Sequence, residues 1–193
     1  MVARHRTNLI LASGSPARLA LLRAHGFDPK IRRPVVDETP KTGESPAQLV
    51  QRLALAKLHS VADLNNTTVA ADTVVSLDGN IFGKPIRPDR AVELLTHLSG
   101  RTHEVFGGIA IQHAQIELCG VVRTQVTFRD LTPVEIDSYV ATGEPLDKAG
   151  GYAIQGGAAN FVTAINGCRD NVVGLSIEVF LTALRKLGAQ PAG

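Results

Sequence analysis

Apolar positions recur along the chain at two spacings and divide it into alternating strands and helices. Residues 8–12 form a short apolar run, read as the first strand, and Ser13-Gly14-Ser15-Pro16 follows as a turn with Pro at a favourable first helical position. The next helix carries Leu19 and Leu22 and stops at His25-Gly26, where Gly suits a left-handed cap. Residues 27–33 read as extended, and 34–44, polar with prolines, as a loop. Ser45-Pro46 opens a long helix whose Leu49, Val50, Leu53, Ala54 and Leu55 form one broad buried stripe, expected to reach Leu64.

Thr67–Leu77 is rich in Thr, Val and Ala and carries one charged residue, Asp72, inside an apolar strand. Asp78-Gly79-Asn80 is a turn signal that predicts a hairpin return through Ile81-Phe82. A helix follows from Pro88-Asp89 to Leu98. Two long β-branched runs, 104–112 and 118–128, come next. Thr132-Pro133-Val134-Glu135 fits a capping box, and residues 176–187 predict a last helix with Ile177, Phe180, Leu181 and Leu184 on one face. Helices and strands alternate early, while two long strands are adjacent later. The expected class is therefore α/β of the mixed α+β kind, a mixed twisted sheet flanked by helices with two lobes around a central cleft, in one domain over 1–193.

Composition removes several classes of function. Hydrophobic residues make up 44% of the 193 and charged ones 20%, which is globular usage. A net charge of +2, 4% aromatics and no Trp leave little for a nucleic-acid surface. The basic groups Arg4-His5-Arg6, Arg18 with Arg23, and Lys30 with Arg32 and Arg33 read mostly as solvated surface. Two distant cysteines, Cys119 and Cys168, make neither a disulfide framework nor a structural zinc site. No apolar run approaches a bilayer span, and the start has no signal-like apolar segment. The expectation is a cytoplasmic protein without membrane or nucleic-acid partners.

Four segments could carry chemistry. Residues 13–18 join a strand to a helix start, whose free N–H groups and dipole suit a phosphate, with Ser13 and Ser15 as hydroxyl donors and Arg18 as a charged fork. Asp72 is costly in an apolar strand unless paired, metal-bound or catalytic, and Glu38 in the loop Asp37-Glu38-Thr39 is a second acidic candidate. Lys84 sits in Gly83-Lys84-Pro85, a fixed place for a phosphate-directed ammonium, and Lys57 on the long helix could join it. The glycine-dense stretch 147–157 permits close backbone approach, and Gln155 within it could read a base edge. Considered singly, each also has a structural reading as cap, loop charge or glycine-rich connection. His59, His97, His103 and His113 show no ligand spacing and read as surface or core.

Together these segments resemble the Maf family of nucleoside triphosphate pyrophosphatases, the septum-formation inhibitors. The resemblance runs from Leu11 to about Leu184 through L-A-S-G-S-P-x-R, V-D-E-T, R-L-A-x-x-K, A-D-T-V-V, G-K-P, L-S-G-R-T-H, P-L-D-K-A-G, G-Y-A-I-Q-G and N-V-V-G-L, in family order. It implies a nucleotide-binding cleft, a divalent cation (Mg²⁺ or Mn²⁺) and hydrolysis between the α- and β-phosphates. By motif position Asp72 would be the general base and touch the metal, and Glu38 would help to hold it. Ser13, Ser15, Arg18, Lys57 and Lys84 would bind the triphosphate. Asp147 matches a motif position with no derivable role. Thr73 and Gln155 resemble the branch acting on dTTP and UTP, whereas Ala17 stands where many of that branch carry Arg, and Asp37-Glu38-Thr39-Pro40 resembles the 7-methyl-GTP branch. Ser176 replaces a usual Pro. The resemblance also implies a homodimer. Two rival functions are a house-cleaning pyrophosphatase for ITP or XTP and a non-catalytic nucleotide-binding regulator of cell division.

Overall fold

A computed structural model describes residues 8–189, so the basic group at Arg4, His5 and Arg6 lies outside the described residues. In chain order the elements are β1 (Leu9–Ala12), α1 (Pro16–Ala24), β2 (Lys30–Ile31), α2 (Pro46–Val61), β3 (Thr67–Leu77), β4 (Asn80–Phe82), α3 (Pro88–Leu98), β5 (Thr102–His113), β6 (Ile116–Phe128), α4 (Pro133–Ala141), β7 (Val162–Asn166), α5 (Arg169–Val173) and α6 (Ile177–Leu187). The strands form a mixed sheet in the order β2-β1-β3-β5-β6-β7, with β4 paired to β3 off this path. Two compact units result, as the expected lobes required. One takes in the described residues up to Asp72, Gly107–Val122 and those from Gly174; the other is Thr73–Phe106 with Arg123–Val173.

The first unit is built on a parallel trio. β1 pairs with β2 through Ile10↔Lys30 and Leu11↔Ile31, and with β3 from Leu9↔Thr67 to Ala12↔Ala70. Strand residues buried on both faces alternate by size rather than by polarity. Leu9, Leu11, Val69, Ile109 and Ile111 pack with Leu22 of α1 and with Phe180 and Leu184 of α6. Their neighbours Ala12, Ala70 and Ala110 face α2, against Ala54 and Leu58. Gly108 belongs to this small-residue face: a Cβ there would collide with the carbonyl of Val50 and come within 3.0 Å of the Gln51 nitrogen. The small face is what lets the α2 backbone approach the sheet closely. Ser45 starts α2 with a capping box to Gln48.

The second unit packs α3 and α4 on an aromatic core. Phe128, Tyr139, Tyr152 and Phe161 gather with Val75, Leu95 and Leu98. Their rings meet edge to face at centroid distances of 4.9–5.9 Å, the arrangement that ring quadrupoles favour. The hairpin β3–β4 pairs Val75↔Phe82 to Leu77↔Asn80, and β6 pairs antiparallel with β7. The expected capping box joins Thr132 to Glu135 at the start of α4.

Three elements depart from expectation. Only Lys30–Ile31 of the extended 27–33 pairs as a strand. Helix α2 stops at Val61 because Ala62 turns to an extended conformation (φ −59°, ψ 147°). β7 and α5 were not foreseen: each is five residues, too short for either period to stand out.

Candidate active site

In the first unit β1 leads to β2 on one side, while β3 lies on the other. Such a reversal leaves a crevice outside the carboxyl ends of the strands, where ligands bind in open α/β sheets. The chain leaving β1 there is Ser13-Gly14-Ser15. Ser15 caps α1, its hydroxyl accepting from the Arg18 backbone N–H at 3.4 Å. Ser13 is buried, and its hydroxyl accepts from the Ser15 N–H and from Arg18 Nη1, both at 3.1 Å. Two accepted bonds occupy both lone pairs, so the remaining capacity of Ser13 is to donate its proton. That is the polarity an anion at a helix N-terminus requires. Arg18 Nε donates to the carbonyl of Gly174 at 2.9 Å, which fixes the fork. Burial pushes the Arg18 guanidinium down from its ordinary value, against the pull of Asp72 and Glu38.

Asp72 lies two residues beyond Ala70, hence on the face that receives α2. Lys57, brought down by the close approach of that helix, donates from Nζ to Asp72 Oδ1 at 2.6 Å. The same ammonium is 2.7 Å from Glu38 Oε1. Lys57 and Asp72 side chains are each 8% exposed and Glu38 is 54% exposed. The Lys57 ammonium keeps a third N–H, and Asp72 Oδ2 has no hydrogen-bond partner among the described residues.

The loop bearing Glu38 is held by its own bonds. The Thr39 N–H donates to Asp37 Oδ1 at 2.9 Å, closing a turn that also lowers the Asp37 carboxyl. Arg52 on α2 donates to both oxygens of Glu44, at 2.6 and 2.7 Å, and to the Thr39 carbonyl at 3.1 Å. This fork holds the Glu44 carboxyl down at about 2.

Asp72 and Glu38 converge on one ammonium, so two hard oxygen ligands lie within reach of a single cation. Among the described residues no group of three or more His, Cys, Asp or Glu could hold a metal. Two carboxylates completed by phosphate oxygens and water are the ligand set that Mg²⁺ takes in phosphoryl sites, so the residues present fit such an ion.

The second unit carries Thr73, Lys84, Asp147 and Gln155. Lys84 and Gln155 are exposed and make no hydrogen bond or ion pair among the described residues. Two backbone bonds join the Lys84 loop to the 146–150 segment: the Ile86 N–H donates to the Leu146 carbonyl at 3.0 Å and the Gly150 N–H to the Gly83 carbonyl at 3.1 Å. Asp147 pairs with Lys148. The glycines of 147–157 serve packing within the unit as well as any ligand. At Gly150 (φ +70°) a Cβ would strike the Val75 side chain, and at Gly156 it would strike Glu144. His103 is a core residue, consistent with one of the two readings of its sequence context.

A profile of the Maf-like protein family matches residues 8–187, which run through both units. The chain belongs to the Maf family. Among its Maf relatives, the dTTP/UTP pyrophosphatase of Geotalea uraniireducens is 44% identical over 188 residues, covering 95% of this chain and 97% of its own. That of Bacillus cereus is 44% identical over 180 residues (92% and 94%), and that of Pelotomaculum thermopropionicum 42% over 184 (93% and 96%).

Two features of this Maf chain were not singled out from sequence. Arg33, grouped there with surface charge, lies across Gly14 of the Ser13–Ser15 turn. Ile86, beside the Lys84 loop, is 77% exposed in the left-handed region (φ 62°), where a β-branched residue is strained. No local sequence signal marks either: a basic pair and an isoleucine after Pro have no distinctive spacing.

Proposed function

We propose that this chain hydrolyses a nucleoside triphosphate, UTP or dTTP, to the monophosphate and pyrophosphate. The observation that carries the reading is the convergence of Lys57, Asp72 and Glu38 in the unit that also holds the Ser13–Arg18 anion turn. The names of the relatives supply the reaction and the pyrimidine bases.

In this reading Asp72 takes a proton from water through its unpartnered oxygen. The water oxygen bonds to the α-phosphorus, the bond from that phosphorus to the bridging oxygen breaks, and pyrophosphate leaves with its electron pair. Positioning and charge neutralisation do most of the work in such displacements. Ser13 donates its hydroxyl proton to the phosphates, Ala17 adds a backbone N–H in the first turn of α1, and Arg18 and Lys57 offset charge on the leaving group; Lys84 joins the substrate-binding set through the family resemblance. Glu38 and Asp72 would hold a divalent cation, Mg²⁺ or Mn²⁺, which when bound neutralises phosphate charge. By family resemblance Thr73 and Gln155 bear on the choice of base, Gln155 through its exposed amide, and so does position 17, where Ala17 offers no guanidinium. The family match through both units supports a single functional domain, and two free cysteines agree with a cytoplasmic setting. Among the described residues no helix is long and apolar enough to cross a membrane. A homodimer remains part of the proposal through family membership alone.

Pyrophosphate release from UTP, dTTP, CTP, ITP, XTP and 7-methyl-GTP tests the reading. Activity on UTP and dTTP well above the rest is expected. Preference for ITP or XTP would replace the base assignment with the house-cleaning one, and binding without release would favour the regulator. Ala17→Arg should shift selectivity further towards UTP and dTTP; an unchanged ranking removes Ala17 from specificity.

A further inference from the structure

Arg33 stands one strand away from the anion turn and has been given no role. It follows β2, the edge strand, and the Arg32 N–H donates to the Leu11 carbonyl at 3.0 Å, so the chain stays paired to β1 up to the residue before Arg33. Two nearby arginines, by contrast, are occupied. Arg32 donates to the Val61 carbonyl at 3.1 Å and pairs with Asp63 at 3.4 Å, and Arg23 pairs with Asp28 at 2.9 Å. Arg33 makes no hydrogen bond or ion pair among the described residues. Its aliphatic stem nevertheless has a definite place: a Cβ built on Gly14 would be in van der Waals contact with Cγ, Cδ and Nε at 3.6–3.7 Å. Gly14 is thus the floor on which the Arg33 stem rests.

We propose that Arg33 is a substrate-binding residue whose guanidinium receives the β,γ-phosphate end of the nucleotide; the assignment rests on the reading of this site as a triphosphate site. The strand order sets the direction. Asp72 on β3 must face the α-phosphate, Ser13 and Gly14 follow β1, and Arg33 follows β2. Strands are spaced about 4.8 Å apart, so the two outer ends of this row lie roughly 10 Å apart at the carboxyl edge. A phosphate chain laid along that edge from Asp72 passes the Ser13 hydroxyl and ends towards Arg33. Arg18 is committed at Nε to Gly174 and at Nη1 to Ser13, whereas none of the five N–H donors of Arg33 is taken up among the described residues. A planar fork matches two phosphate oxygens.

The experiment compares wild type, Arg33→Ala and Arg33→Lys by calorimetric binding of inorganic pyrophosphate and of UMP, alongside steady-state hydrolysis of UTP. Arg33→Ala should weaken pyrophosphate at least about tenfold and lower kcat/KM for UTP about tenfold, the scale of one charge-assisted pair, while UMP affinity moves less than about twofold. Arg33→Lys should recover part of both losses. Equal pyrophosphate binding by wild type and Arg33→Ala overturns the proposal, as does no pyrophosphate binding by wild type. A loss confined to UMP overturns the assignment to the β,γ end. Should wild type bind pyrophosphate tightly yet hydrolyse no triphosphate, the hydrolase reading fails, and Arg33 is still decided by the binding comparison.

Discussion

In the unit that carries Asp72, the buried polar centre is an ion pair, whereas in the other unit it is a neutral histidine among aromatic rings. Lys57 and Asp72 sit 2.6 Å apart under α2, with Glu38 reaching the same ammonium from a pinned loop. His103 instead meets the Tyr152 hydroxyl at 2.8 Å, lies edge to face with Phe128 and Tyr152, and keeps an unpartnered Nδ1 among the described residues. Burial pushes its pKa down to about 4. Charge held under a helix is tolerated because each partner neutralises the other. Rings and a neutral imidazole give rigidity without a field, which suits a scaffold that presents exposed groups such as Lys84 and Gln155.

Lys57 is where the two centres differ most. Lys57→Met leaves the Asp72 carboxylate buried without its ammonium and should destabilise the fold by about 3–5 kcal/mol. Glu38→Gln, at a half-exposed partner, should cost under about 1 kcal/mol. Thermal unfolding of both variants reads the difference, and equal losses would show that the pair is not the buried centre described.

The aromatic unit predicts a pH signature instead. The unfolded chain binds a proton at His103 near pH 6.5 and the folded chain only near pH 4. Between these values the unfolded state holds more protons, so stability is full above about pH 6.5 and falls as pH drops through the window. The total loss is about 3 kcal/mol by pH 4. Glu44 and Glu135, both held at about 2 by arginine partners, lose their contribution as pH falls from the ordinary 4.5 towards about 2, so the window above about pH 5 belongs to His103. Denaturant midpoints at pH 7, 6, 5 and 4.5 should decline in wild type and stay flatter in His103→Phe. Parallel curves would contradict this assignment.

A smaller effect tests how geometry links fold to site. Gly108→Ala forces a methyl against the Val50 carbonyl, and overpacking of this kind costs about 1–3 kcal/mol. Because α2 carries Lys57, activity should fall along with stability. Full activity in a destabilised Gly108→Ala protein would separate α2 placement from the chemistry.

Much of this was legible in the chain. Asp72 stood out because a carboxylate in an apolar strand needs a partner, Ser45-Pro46 announced the start of α2, and Thr132 announced its capping box through Glu135 three positions on. The pairing of Asp72 with Lys57 was not legible, since it depends on how near α2 comes to the sheet. That distance is set by Ala12, Ala70, Gly108 and Ala110 from three different strands. Nor was Arg33, because a cation one residue past an edge strand has the same local sequence whether it faces solvent or an anion turn.

Asp72, held by Lys57, is the residue proposed to activate the attacking water. Pyrophosphate release from UTP by Asp72→Asn, beside a measurement of UTP binding to the same protein, tests it most directly. Turnover is expected to fall at least about a hundredfold, the scale of a lost general base, with binding largely kept. Turnover within a few-fold of wild type would contradict it.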